Sequence, residues 1–354
     1  MVADFDGRVT RVREKMQVLG GQGWLLTDPG DVRYVCGFTG SSPALVDGAG
    51  VTVFPHGVDL AQALDDVPWC TCIRRKGLQP WPEVVQVLQE RGIRQLVAAR
   101  QSLTVLAFES VTQAGVEIVD AGQGMNDLRG VKDPGEIESL RRAAEIASEA
   151  FGDLLEAIRP GMSEKEIAAH LEHAMLSKGA DGFWFRTIVV SGPRSAYCHG
   201  APTERRVREG DLVTIDFGPV WQGYPADCTR TIVVGNPSSE QRRVYAAVLA
   251  AQEAALGLVS AGRSARDVHL EAARAIEQAG YGPYFVHALG HGLAGGPLLD
   301  EDSTDELVVG NVFTVEPGIY IRGWGGVRIE DDVLVAPSGK EILTTCTREL
   351  IAIT

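Results

Sequence analysis

The 354-residue sequence has no apolar run long enough to cross a bilayer, and residues 1–13 place Asp4, Asp6, Arg8, Arg11 and Arg13 where a secretion signal needs an apolar core. No membrane association and a cytoplasmic location are therefore expected. Basic residues are in deficit: 33 Lys and Arg against 47 Asp and Glu give a net charge of −14, which repels a phosphate backbone, so no nucleic-acid partner is expected. Cysteine is sparse and scattered. The closest pair, Cys70 and Cys72, has one residue between them, which excludes a CxxC zinc knuckle or redox pair and leaves free thiols as the expectation. No Gly-x-Ser-x-Gly elbow is present to support serine-hydrolase chemistry. His287 and His291 have the spacing of a helical zinc site without its glutamate, and glycines at 290, 292, 295 and 296 oppose a helix there. Gly290-x-Gly292-x-x-Gly295 copies the letters of a dinucleotide fingerprint but runs into Gly296 and Pro297 instead of a helix.

What is present exceeds one hydrophobic core, since single cores stop growing at roughly 250–300 residues. Two domains are expected, 1–130 and 131–354, with the break at Arg129 to Gly135. The first reads as a small α/β domain: Arg8 to Leu19 is amphipathic, Trp24 to Leu26 and Ala44 to Val46 are short apolar runs, and Val51 to Phe54 reads as a strand. Its clusters at Asp28 to Asp31 and Gly37 to Ser42 read as turns. After a turn at Lys132 to Gly135, Glu136 opens a long helix whose buried face is Ile137, Leu140, Ala144, Ala147, Phe151, Leu154 and Ile158, ended by Pro160 and Gly161.

The second domain repeats itself at an offset near one hundred residues. Gly161, Ser163 and Glu166 recur as Gly262, Ser264 and Asp267, each set predicting a capping box at a helix start. Gly210, Thr214, Asp216 and Gly218 recur as Gly310, Thr314, Glu316 and Gly318, each a strand running into a carboxylate. A second strand in each half brings another acid, Asp227 and Glu330. Each half thus reads helix, helix, strand, strand, and four acids converge about a pseudo-twofold. Four buried carboxylates cannot stay ionised together without compensating positive charge. Two divalent metal ions would supply it, and His291 is the natural nitrogen donor. Hard oxygen donors with one imidazole favour Mn²⁺, Co²⁺, Zn²⁺ or Fe²⁺.

With these blocks in order, the sequence resembles the creatinase/aminopeptidase P/prolidase family of pita-bread metallopeptidases, and Val32 to Phe38 is similar to the family's N-terminal domain. The resemblance implies an α/β (α+β) fold: a pita-bread C-terminal domain with a pseudo-twofold internal repeat, and a smaller creatinase-like N-terminal domain. It implies two metal ions, with manganese expected and cobalt or zinc as alternatives, held by Asp216, Asp227, His291, Glu316 and Glu330. It also implies Glu316 as proton shuttle and His199 and His287 as hydrogen-bond partners of the substrate carbonyl and oxyanion; Arg328, two residues before Glu330, points the same way along its strand and is expected to neutralise the acidic ligands. One position departs from the family pattern: Leu298, followed by Leu299, stands where most members carry a histidine and an acid. The activity implied is hydrolysis of the Xaa-Pro bond in dipeptides, with His199 or Arg322 meeting the substrate carboxylate. The alternatives are an Xaa-Pro aminopeptidase acting on longer peptides, and a non-catalytic or creatinase-like member of the same fold. A homodimer is expected.

Overall fold

Short apolar runs punctuated by turn residues become the strands of the first of two units, residues 4–129 and 130–354; the computed structural model describes residues 4–354. In the first unit β1 (Gly23–Leu26), β2 (Ala44–Asp47), β3 (Gly50–Val53), β4 (Thr71–Cys72), β5 (Gln95–Ala98) and β6 (Glu117–Asp120) form one sheet in the order β4-β3-β2-β1-β5-β6. It carries α1 (Phe5–Val18), α2 (Pro29–Cys36), α3 (Leu60–Asp66), α4 (Trp81–Glu90) and α5 (Val105–Gln113), and α6 (Gly124–Gly130) follows. The central strands β1 and β2 are buried on both faces, so they read as continuous apolar runs. One expected turn is instead a helix start: the Asp28 side chain accepts from Asp31 N at 3.1 Å, and Pro29 occupies the first turn of α2, where its missing N–H costs nothing.

The second unit is built twice. Its first half contains α7 (Pro134–Ala157), α8 (Glu164–Ser177), β7 (Gly182–Phe183), β8 (Ile188–Ser191), β9 (Leu212–Phe217), β10 (Pro219–Trp221), β11 (Tyr224–Pro225) and β12 (Cys228–Val234). The second contains α9 (Ser239–Leu258), α10 (Ala265–Gln278), β13 (Gly290–His291), β14 (Leu298–Leu299), β15 (Val312–Val315), β16 (Gly318–Ile321), β17 (Gly325–Arg328), β18 (Asp331–Ala336) and β19 (Gly339–Ile342), and β20 (Ala352–Ile353) returns beside β12. The expected turn before α7 is partly the helix itself, which opens at Pro134 under a full capping box between Asp133 and Glu136. At α8, Ser163 and Glu166 complete the box; at α10, Ser264 caps but Asp267, one methylene shorter than glutamate, does not reach back. Short strands intervene between the two long strands of each half, β10 with β11 and β16 with β17, which the sequence pattern had merged into a glycine turn.

Each half has its own core. Val213, Ile215 and Phe217 face the first with α7 and α8, while Phe313 and Val315 face the second with α9 and α10. Because strand side chains alternate, the neighbouring residues face the other way: Leu212 and Val233 join the second core, and Val312 and Leu334 join the first. The exchange locks the halves together, each fully buried aliphatic side chain contributing about 1.5–3 kcal/mol.

The close approach of β13 to β15 fixes one residue type. A Cβ on Gly290 would lie 1.9 Å from the Thr314 carbonyl oxygen, and one on Gly292 would lie 2.7 Å from backbone atoms of Gly295 and Gly296. These glycines let one chain pass against another. Gly290→Ala is expected to lower stability by at least about 2 kcal/mol through overpacking. Gly152→Ala, on an exposed face of α7 with open space around it, is expected to raise stability by about 0.5–1 kcal/mol. Urea midpoints of the two variants test both signs.

Candidate metal centre

The strand ends bring the acids together. Asp216 lies near the end of β9, Asp227 immediately before β12, Glu316 immediately after β15 and Glu330 immediately before β18. The antiparallel register of β9 and β12 sets Asp216 opposite Thr229, two residues from Asp227 on the same face. His291 ends β13. Ligand atoms of Asp227, His291 and Glu330 lie within 4.8 Å of one another. His291 Nε2 is 3.6 Å from Asp227 Oδ2 and 3.4 Å from Glu316 Oε1.

Hydroxyls and buried ions aim these groups. Thr229 Oγ1 donates to Glu330 Oε2 at 2.6 Å and accepts from Arg328 Nε at 2.9 Å. Thr314 Oγ1 donates to Glu316 Oε1 at 2.9 Å and accepts from the backbone N–H of His291 at 3.0 Å. Asp332 Oδ2 accepts from the Asp227 backbone N–H at 3.0 Å. Behind the site, Arg230 pairs with Asp331 at 2.6 Å, both fully buried, and donates to the carbonyl oxygens of Thr229 and Glu330.

The electrostatics are out of balance. Burial drives Asp227 and Glu330 well above the usual carboxylate range, and their acidic neighbours push them further. Burial likewise raises Glu316 to about 7, and it raises Asp216 although Arg328 opposes it. Among the described residues Arg328 is the one guanidinium in ion-pair contact with the four acids, 2.5 Å from Asp216 and 4.0 Å from Glu316. Asp216 Oδ1 and Asp227 Oδ1 are buried with no hydrogen-bond partner among the described residues. Unfilled carboxylate lone pairs and a shortage of positive charge are what a divalent cation relieves, so the donor set fits one. Burial lowers His291, which favours the neutral imidazole that coordinates metals.

Above the acids lies a cavity of about 560 Å³. Trp184, Phe185, Ile188, Ala201 and Leu298 supply apolar wall, and Trp184 leans edge-on to His291 with ring centroids 5.7 Å apart. His199 lines the cavity and is exposed. His287 lines it too, but its Nδ1 contacts the Ala288 carbonyl at 2.7 Å and its Nε2 the Tyr320 hydroxyl at 2.9 Å. A carbonyl only accepts, so Nδ1 carries the proton and Nε2 accepts from Tyr320, which itself accepts from Arg328 Nη1 at 2.9 Å. Burial lowers His287 to about 4, consistent with a neutral ring. It therefore presents no free N–H to a substrate, contrary to the sequence expectation. Arg322 is not brought to the site: it is exposed in the turn between β16 and β17 and does not line the cavity. Thr229 and Thr314 escaped the sequence reading, although each stands two residues from an acid and period two could have found them. Tyr320, Trp184 and Arg186 carried no comparable signal.

The same conclusion about kinship comes from comparison with known proteins. The model of metallopeptidase family M24 matches residues 138–337, and that of the creatinase/prolidase N-terminal domain matches 8–131. An Xaa-Pro dipeptidase from Pyrococcus furiosus is 43% identical over 231 residues, 64% of this chain and 66% of that protein. Among solved structures, an Xaa-Pro dipeptidase from Bacillus anthracis superposes with a TM-score of 0.94 at 36% identity, covering 99% of this chain and 100% of that one. An X-Pro aminopeptidase from Thermotoga maritima gives 0.87 at 34%, covering 96% and 100%. The repeated strands, the acid cluster and these matches lead to one statement: the chain belongs to metallopeptidase family M24 and carries that family's creatinase/prolidase N-terminal domain.

Proposed function

We propose that the protein hydrolyses the Xaa-Pro bond of proline-containing dipeptides with two divalent ions held by Asp216, Asp227, His291, Glu316 and Glu330. The observation that carries this reading is the acid and imidazole cluster at the base of a cavity with apolar walls. Such walls suit a pyrrolidine ring, which has no backbone N–H to satisfy. When bound, divalent ions supply Lewis acidity towards the scissile carbonyl and lower the pKa of water.

The chain's own residues do the rest. Glu316 has Oε1 anchored by Thr314, which leaves Oε2 to take a proton from the attacking water and return it to the leaving imide nitrogen. His199, whose ring makes no hydrogen bond among the described residues, donates to the substrate carbonyl as negative charge develops there. Arg328 offsets the charge of Asp216 and, through Tyr320, fixes His287 as a positioning residue. Manganese as the native metal, a homodimer, a cytoplasmic location and a domain boundary at residue 130 are part of this proposal and rest on the family resemblance and the sequence. The second reading, cleavage of longer Xaa-Pro peptides, is favoured by the likeness to the Thermotoga maritima aminopeptidase.

Turnover of Xaa-Pro dipeptides against Xaa-Pro-Yaa tripeptides by manganese-loaded protein decides between them; faster cleavage of tripeptides refutes the dipeptidase reading. Chelation is expected to abolish hydrolysis and lower the thermal midpoint, because the acids are left to repel one another, and Mn²⁺ or Co²⁺ should restore both. Two tightly bound ions in Asp227→Ala, measured by metal analysis, would sink the ligand assignment. Glu316→Gln is expected to lower kcat by ~10²–10⁴-fold, and near wild-type turnover would remove its role as proton carrier.

A further inference from the structure

A dipeptide ends in a free carboxylate one residue past the scissile bond, and an anion entering a cavity floored by four acids needs a cation of its own. Arg328 is not available for it. That guanidinium already contacts Asp216, Thr229, Tyr320 and the Cys198 carbonyl oxygen. His287 is engaged at both nitrogens, Leu298 offers only an apolar surface, and Arg322 lies outside the cavity. His199 also lines the cavity, but it is assigned to the scissile carbonyl, and the guanidinium left for the carboxylate is that of Arg186. It lines the same cavity, its side chain is exposed, and it makes no hydrogen bond or ion pair among the described residues.

Its place in the chain gives it the required reach. Ile188, the first residue of β8, pairs with Asp216 across the sheet, and Arg186 stands two residues before it. Trp184, two residues further back, rests against His291. Two residues of extended chain span about 7 Å, and the carboxylate of a bound dipeptide lies about 3.5 Å of chain beyond the scissile carbonyl. A flexible arginine from this segment can therefore meet that carboxylate while Trp184 and Phe185 cover the proline ring.

Resting on the dipeptidase reading, we infer that Arg186 is the residue that selects for dipeptides, by pairing its guanidinium with the substrate's terminal carboxylate in a charge-assisted, two-pronged hydrogen bond. Extending the peptide or amidating it removes the charge from that point, and with it the attraction. The pair is solvent-accessible, so salt weakens it.

The test compares an Xaa-Pro dipeptide with its C-terminal amide and with an Xaa-Pro-Yaa tripeptide, using the metal-loaded wild type, Arg186→Ala and Arg186→Lys. In the wild type the free acid should be preferred, and raising ionic strength should increase its KM more than that of the amide. Arg186→Ala should raise the KM for the free acid by about 10- to 100-fold, with a much smaller change in kcat, so that preference for acid over amide collapses. Arg186→Lys should retain part of the preference, because a point charge remains. If the wild type prefers the acid and Arg186→Ala prefers it equally, the assignment of Arg186 is overturned while the dipeptidase reading stands. If the wild type itself shows no preference over the amide or the tripeptide, the dipeptidase reading fails and takes the assignment with it.

Discussion

Four carboxylates share a buried space with one guanidinium, and the architecture of the second unit follows from keeping them there. Each is held in place by a hydrogen bond or ion pair from a neighbour that is itself fixed: Thr229 for Glu330, Thr314 for Glu316, Arg328 for Asp216, and Asp332 through the backbone of Asp227. These contacts aim the oxygens without neutralising them. The remaining deficit of positive charge makes the site a cation receptor, and it would be destabilising anywhere it served no such purpose.

The fold brings this charge together at strand ends, where backbone ladders have already fixed the direction of each side chain. Two acids come from each half of a repeated unit, and the cores of the halves exchange equivalent residues, so the cluster forms only once both halves are packed. The buried pair of Arg230 and Asp331 extends the bracing one layer outward, since Arg230 also holds the carbonyl oxygens on either side of the site. Breaking such a pair from one side leaves an uncompensated buried charge, which typically costs about 3–5 kcal/mol.

Much of this was legible in the sequence because duplication turns isolated acids into corresponding ones. Asp216 and Glu316 stand out only when Gly210 and Gly310 are aligned, and the helix starts at Ser163 and Ser264 show the same period. The intervening strands β10, β11, β16 and β17 were not legible, because two or three residues around a glycine carry no periodicity. Side-chain commitments were hidden as well. Nothing in the order of residues says that His287 spends both nitrogens on Ala288 and Tyr320, or that Arg322 lies outside the cavity while Arg186 lines it. Such facts depend on which way a loop turns, and loop direction is set by tertiary packing.

The single hydroxyl of Thr314 holds the backbone of His291 with one lone pair and the carboxylate of Glu316 with its proton. The imidazole and that carboxylate are therefore mounted on one body, and the tight passage of Gly290 over the Thr314 carbonyl leaves that body little room to flex. Breathing of the domain can alter the gap between the two halves more easily than the bite between these two donors. The gap between the two repeats is spanned by Arg328 reaching to Asp216, and also by Thr229 to Glu330, the Asp227 backbone to Asp332 and Arg230 to Asp331, so it is tethered at four points.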